Sequence, residues 1–337
     1  ILVCGMGLMF LAHKVKYTYY SKIAQLALYL SIPLLLVTLL IGTNLNSANR
    51  WLTIPVINQT FQTSDLAKLA LIMYVARFLA LKQDVIKDFK RGFFPLLVPI
   101  FLVCGLILPA DLSTAAMLFV NCLILMFIGR ASLKHMAVLA LVGIIALGGV
   151  YAIGKALPGT INRLDTWVNR IETFTSPELA GNNANYQTDQ SKIAIAKGGL
   201  IRIAPGHSVQ RNFLPHPYSD FIYSIVLEEY GLFGGVFILL LYLILLFRSI
   251  KIASGCPRNF GALLAIGIGF SLVFQAMINM AVAVNLVPVT GQPLPMVSMG
   301  GTSIWFTCLA VGIILSVSAG VESSEERKPN RPLAHVT

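Results

Sequence analysis

Apolar runs of roughly twenty residues recur along this chain, near 1–13, 23–43, 65–82, 93–109, 111–130, 134–153, 222–248, 260–285 and 299–320. A helix of that length crosses a hydrocarbon core about 30 Å thick. Of the 337 residues, 56% are hydrophobic and 12% charged, with a mean hydropathy of +0.78. A water-soluble fold cannot hide that much apolar surface. The expected fold class is an all-α polytopic membrane protein with nine transmembrane helices, which excludes a soluble enzyme on one anchor. The chain opens at Ile1 inside an apolar run, without the charged start of a signal peptide. The numbering is therefore expected to begin inside a longer protein, with one earlier span missing.

The formal charge of +11 and pI near 9.5 could suit nucleic acid, but topology explains them more simply. Alternate connections and the tail carry 15 of the 25 basic residues, which makes that side cytoplasmic. The short connections on the opposite side contribute only Arg50. One connection, 154–221, is long and holds seven basic residues, which long translocated loops tolerate. A connection of that length is functional or disordered. The organisation expected is one transmembrane domain over 1–337, with an extracytoplasmic loop at 154–221 and a charged cytoplasmic tail at 321–337. Within the loop, 192–200 reads as a short amphipathic helix lying on the bilayer, followed by Pro/Gly breaks. The five cysteines lack ligand spacing, so neither a disulfide framework nor a zinc site is expected.

Three constellations could carry chemistry. Lys192, Lys197, Arg202 and Arg211 have no acid between Asp189 and Asp220. They suit a phosphate or pyrophosphate, and equally a general attraction to anionic headgroups. Asp220 stands just before a span, where Ser219 or Asp220 could cap the helix or Asp220 could act as a general base. Buried charges form the third group: Lys68 and Arg77 in one span, Glu228 and Glu229 in another. Glu228 is eight residues beyond Asp220, about 12 Å along a straight helix, which places it below the surface. Arg77 can snorkel to the inner face. Lys68 suits an ion pair with Glu228 or Glu229, or a cavity lining. The outer turn VPVTGQPLPMVSMGGTS breaks helices at membrane depth, where Ser298, Thr302 and Ser303 could line a cavity. No Walker or dinucleotide pattern is present, "GHSVQ" lacks the second glycine of a nucleophile elbow, and the histidines have no metal spacing.

Four stretches, NRWLTIPVINQTFQTSDLAKLAL, PADLSTA, NYQTDQSKIAIAKGGLIRIAPGHSVQRNFLPHPYSDFIYSIVLEEYGLFGG and QAMINMAVAVNLVPVTGQPLPMVSMGGTS, resemble the SEDS family of cell-wall proteins, which includes FtsW and RodA. The family's usual Pro-Ser-Glu is Thr63-Ser64-Asp65 here, and its Pro-Asp-Leu-Gly-Thr is represented by Ala110, Asp111, Leu112, Ser113 and Thr114; both acidic positions survive. The resemblance implies ten spans with both ends inside. It also implies a peptidoglycan glycosyltransferase that polymerises lipid II on the outer face of the bacterial cytoplasmic membrane. Its implied partners are a class B penicillin-binding transpeptidase and other division-complex membrane proteins.

Asp220 matches the family's proposed catalytic carboxylate, which favours the base over the cap. On that implication Asp220 deprotonates the attacking sugar hydroxyl, with inversion at the anomeric carbon. Arg202, Arg211, Lys192, Lys197 and Arg50 would stabilise the pyrophosphate, alone or with a divalent cation such as Mg or Mn. Lys68, Glu228, Glu229, Asp111, Ser298, Thr302 and Ser303 are expected as cavity-lining or structural groups. The long-loop wording leans towards a septal, FtsW-like role. The alternatives are a RodA-like elongation polymerase, a lipid II flippase using Lys68, Arg77, Glu228 and Glu229, and a non-catalytic scaffold.

Overall fold

The computed structural model describes residues 1–45, 48–54, 59–156, 162–175, 186–202, 205–215 and 217–326, without the side chains of 43–50, 53–60, 162–164 and 324–326. The sequence-expected features at His216, Arg327, Lys328 and Arg331, and the side chains of Arg50 and Arg163, lie outside the described residues. Each of the nine apolar runs coincides with a helix: α1 (Leu2–Lys14), α2 (Tyr17–Ile41), α3 (Thr63–Leu81), α4 (Phe94–Ile107), α5 (Leu112–Ile128), α6 (Leu133–Ala156), α9 (Ile222–Gly255), α10 (Asn259–Ala283) and α11 (Ser303–Glu326). The loop between α6 and α9 contributes α7 (Asn162–Thr175) and α8 (Tyr186–Gly198).

Six of the described helices are long and apolar enough to cross a membrane: α2, α4 with the π turn Phe89–Phe93 before it, α6, α9, α10 and α11. The chain is a multi-pass membrane protein. Helices α1 and α5 are apolar but shorter, and α3 carries Asp65, Lys68 and Arg77.

Helix α3 is the centre of the bundle. Twelve of its nineteen residues are buried, and it packs against α2, α10, α5, α4 and α11. Ala67, Ala70 and Ala76 let those neighbours approach closely. Leu71, Val75 and Leu79 join Leu28, Leu96, Met126 and Leu264 in one core cluster. Helix α6 is the opposite case, with only Leu139 and Gly154 buried.

The structure departs from the sequence-based expectations at several points. The connection after α2 forms a three-stranded antiparallel sheet, β1 (Thr43–Leu45), β2 (Ala48–Ile54) and β3 (Gln59–Gln62), in the order β1-β2-β3, so the fold is not all-α. Trp51 faces Gln62 and Leu52 faces Phe61; aromatic and β-branched residues there favour strand. The helix expected at 192–200 begins earlier, at Tyr186. Its buried Ser191, Ala194 and Gly198 face α9, on which it packs. The strongly amphipathic helix of the loop is α7 instead. Helix α11 continues to Glu326, so the first part of the expected tail is helical.

Helix α9 is two helices joined at Gly231, whose φ of 67° and ψ of −169° are open only to glycine. The first half, 222–230, doubles back on the second. A Cβ on Gly235 would run into Leu227 and lie 3.0 Å from the Tyr223 hydroxyl, contacts that a straight helix eight to twelve residues apart cannot make. The first half instead runs alongside α10: the Asp220 carbonyl is bonded from Asn279, while Ser191 Oγ meets both Ser224 Oγ and the carbonyl of Ala283. Asp220 therefore lies about one turn inside the end of α10, and Glu228 lies further out. This reverses the order that a straight helix gives.

Candidate active site

The outer turn between α10 and α11 descends into the bundle, as the Pro/Gly pattern leads one to expect. Gln275 Nε2 donates to the Pro293 carbonyl at 2.9 Å, and Gln275 lies eight residues before the end of α10, about 12 Å down its axis. Asn279 Nδ2 donates to the carbonyls of Gln292 (2.7 Å) and Asp220 (2.9 Å), holding the turn and the start of α9 together. Ser298 Oγ adds a bond to the Ser219 carbonyl at 2.5 Å, and the Met299 amide donates to the Tyr218 carbonyl at 2.8 Å. These side-chain bonds satisfy backbone that would otherwise be stranded away from water.

Asp220 is held by its main chain, and its side chain caps nothing. The residue capping α9 is Phe221, with no side-chain cap bond. Asp220 is half-buried. Ser219 Oγ donates to Oδ1 at 2.8 Å, and Oδ2 faces Gly291, 3.6 Å from where a Cβ would stand. Nη2 of Arg170 from α7 lies 4.0 Å from the same position; the same guanidinium reaches the Thr290 carbonyl at 3.5 Å. Gly291 itself has a φ of +69°.

Two cavities open along this turn, neither of them with Asp220 or Gly291 among its lining residues. A polar one of about 60 Å³ is lined by Asp65, Lys68, Gln275, Ser298, Ser303 and Thr307, among others. In it Lys68 pairs with Asp65 at 2.8 Å and reaches Gln275 Oε1 at 3.5 Å, while Ser303 Oγ donates to Asp65. An apolar groove of about 320 Å³ runs on the other side, between α5, α6, α7 and the end of α10, with Met117, Leu147, Trp167 and Ile171 in its walls and Arg170 at its edge. Thr290 lines the groove, Pro293 lines the polar cavity, and Gly291 between them faces Asp220.

The remaining expected residues have other surroundings. Asp111 is buried and caps α5, accepting from the Thr114 amide at 3.1 Å and from Gln292 Nε2 at 3.2 Å, so it braces the descending turn. Thr302 is buried at the start of α11, its carbonyl accepting from the Trp305 amide at 3.0 Å. Lys68 pairs with Asp65 and not with Glu228 or Glu229. Glu228 is fully buried and accepts from Ser208 Oγ at 2.5 Å and from the amides of Val209 and Gln210; Glu229 accepts from the Ser208 amide at 3.2 Å. Arg77 donates to the carbonyl and hydroxyl of Ser21 at 2.6 Å.

Of the four loop cations, Lys192 and Arg202 hold partners other than Asp220. Exposed Lys192 pairs with Asp189 at 3.5 Å. Arg202 Nη1 bonds the Lys197 carbonyl at 3.1 Å beside Gly231, and the Arg211 amide bonds Ser208 above Glu228. Those last two positions are eight and eleven residues along α9 from Asp220, roughly 12 to 16 Å away. The cation that does face Asp220 is Arg170, and nothing in the sequence reading singled it out. Its signal is the pattern Trp167, Val168, Ile171 on one face of α7, which marks an amphipathic helix and sets Arg170 at the edge of the apolar stripe. Among the described residues no three His, Cys, Asp or Glu side chains gather to hold a metal ion.

Residues 1–323 match the family described as cell cycle protein, FtsW/RodA/SpoVE. Stage V sporulation protein E of Bacillus subtilis (strain 168) is 35% identical over 94% of this chain and 85% of its own length. The probable peptidoglycan glycosyltransferase FtsW of Nitrosococcus halophilus (strain Nc4) is 32% identical over 94% of this chain and 80% of its own. Among solved structures, a chain from a study titled "Structural coordination of polymerization and crosslinking by a peptidoglycan synthase complex" superimposes with a TM-score of 0.76 at 25% identity, over 95% of this chain and 88% of that one. Rod shape determining protein RodA of Thermus thermophilus gives 0.65 at 25% identity, over 94% and 86%. The re-entrant turn, the folded-back start of α9 and the carboxylate between them thus sit in a chain that belongs to the FtsW/RodA/SpoVE family of cell cycle proteins.

Proposed function

We propose that this protein is a peptidoglycan glycosyltransferase that polymerises lipid II on the outer face of the bacterial cytoplasmic membrane, within nine membrane spans of the present chain. The observation that carries the reading is the Asp220 carboxylate: its backbone is fixed by Asn279, its Oδ1 by Ser219, and its Oδ2 shares with the Arg170 guanidinium a position without a side chain. The naming of relatives as probable peptidoglycan glycosyltransferases FtsW supports the activity and a septal role. The charge asymmetry supports an extracytoplasmic site. The solved peptidoglycan synthase complex supports a penicillin-binding transpeptidase as partner.

Asp220 accepts the proton of the 4-hydroxyl of an incoming lipid-linked disaccharide as that oxygen attacks the anomeric carbon of the donor strand. The bond from that carbon to the pyrophosphate breaks, and the electron pair leaves with the pyrophosphate. No nucleotide enters. A positioned base contributes roughly 10²–10⁴-fold to such a step. Asp220→Asn keeps the backbone bonds and the shape while removing the base. The purified protein with its transpeptidase, whose own chemistry is blocked, is given lipid II in vesicles and glycan strands are counted. Asp220→Asn is expected to melt with the parent and to make strands at least about 100-fold more slowly; strands at the parental rate would remove Asp220 from the chemistry.

The flippase alternative needs a row of charges along a pathway. Lys68, Arg77, Glu228 and Glu229 are instead each engaged with a local partner.

A further inference from the structure

We infer that Arg170 is the seat of the donor's leaving pyrophosphate, and that the donor's polyprenyl chain lies in the apolar groove beneath α7. The inference rests on the proposed polymerase reading and names how that site divides its substrate.

The geometry around Gly291 carries the argument. Arg170 Nη2 and Asp220 Oδ2 face the same vacant Cβ position from 4.0 and 3.6 Å, which sets carboxylate and guanidinium no more than about 8 Å apart. A base stands about 3 Å from the hydroxyl it deprotonates. The attacking oxygen stands about 3–3.5 Å from the carbon before reaction, and a cation on the departing oxygen lies about 2.8 Å beyond that oxygen. Wrapped around one carbon, these steps separate base and cation by several ångströms, which the limit of about 8 Å accommodates. Arg202 is engaged elsewhere, its guanidinium on the Lys197 carbonyl, and the backbones of Arg202 and Arg211 sit beside Gly231 and Glu228, roughly 12 to 16 Å along α9 from Asp220.

The groove supplies the second, independent observation. It measures about 320 Å³, its walls are overwhelmingly apolar, and Arg170 is the cation among its lining residues. An apolar trough with one guanidinium at its edge matches a long hydrocarbon ending in phosphate. Trp167 and Ile171 form part of the trough from the same helix that carries Arg170, so α7 couples tail and phosphate binding. In the reaction, the acceptor O4 to anomeric carbon bond forms, the carbon to pyrophosphate-oxygen bond breaks, and the hydroxyl proton passes to Asp220. The leaving electron pair settles on the oxygen nearest Arg170. The guanidinium offers a forked pair of donors that a lysine cannot reproduce.

The test uses the purified full chain with its transpeptidase partner. Strand synthesis from lipid II is measured alongside inhibition by three probes: a 55-carbon polyprenyl pyrophosphate, farnesyl pyrophosphate and excess phosphatidylglycerol. Removing one donor to developing charge costs roughly 10²-fold in rate. Arg170→Gln is therefore expected to slow synthesis by that order and to weaken inhibition by the long pyrophosphate at least about tenfold. Arg170→Lys should recover part of both, and Arg202→Gln and Arg211→Gln should stay within about threefold of the parent. Ala116→Trp, filling the groove wall, should weaken the long pyrophosphate while leaving farnesyl pyrophosphate unchanged. Melting temperatures confirm that each variant is folded.

Parental synthesis and inhibition in Arg170→Gln would overturn the assignment while leaving the polymerase reading intact. Equal competition by phosphatidylglycerol would also overturn it, since the seat would then be a general headgroup contact. If the parent makes no strands yet binds polyprenyl pyrophosphate in an Arg170-dependent way, the seat stands and the polymerase reading falls.

Discussion

At Gly291 a missing side chain leaves one open position beside both Asp220 and Arg170. With a φ of +69°, the residue adopts a conformation that costs an L side chain roughly 1–2 kcal/mol, and the space its Cβ would occupy is bounded by Asp220 Oδ2 and Arg170 Nη2. Gly291→Ala is expected to lower stability by about that 1–2 kcal/mol and to cut strand synthesis by a larger factor, because the methyl enters the gap where the sugar reacts. Comparing the melting temperature with the initial rate separates the two; a rate loss no greater than the fraction unfolded would mean that the gap is not the reaction site. Asp220 itself was legible in the sequence through its matching stretch. Arg170 was not, because a lone arginine in a long loop carries no spacing signal until α7 is recognised as a helix and the descending turn brings Gly291 beside it.

The element that places Asp220 is α9, and its fold-back is where linear reasoning fails. Residue counting at 1.5 Å per residue sets Glu228 deeper than Asp220 only if the helix is straight. Gly231 breaks it, and Glu228 comes out on the outer side as the anchor of 208–210. A fully buried carboxylate that accepts from a hydroxyl and two amides has replaced water with donors, and charge-assisted bonds of this kind are the strong ones. Glu228→Gln keeps the volume but turns an N–H₂ group against those amides. The expected cost is about 3 kcal/mol, read as a lowered melting temperature in detergent. Glu229→Gln, half-buried with one amide bond, should cost much less. Equal effects would mean that Glu228 is not the anchor. The "LEEYG" letters announce two acids and a glycine, but which acid turns inwards depends on a bend whose partner, the loop at 198–202, arrives from elsewhere in the chain.

Across the whole molecule, the hydrophobic runs gave every one of the nine apolar helices, with ends displaced by up to about seven residues, since apolar length is a local property. Relative packing is not local. Helix α3 carries three charges and is the most enclosed of the bundle, whereas α6 is apolar all round and touches the rest mainly through α7 and α5. A helix so lightly held, forming one wall of the groove under Arg170, is the natural place for a lipid tail to enter from the side. Few buried contacts mean low local stability. In detergent micelles, amide hydrogen exchange over 133–156 is therefore expected to outpace exchange over 63–81 by an order of magnitude or more. Adding a long-chain polyprenyl pyrophosphate should slow exchange in α6 and α7 together, leaving α3 and α11 unchanged. Protection of α6 equal to that of α3 before addition would mean that the wall is fixed, and protection appearing on α11 instead would move the tail to a different face of the bundle.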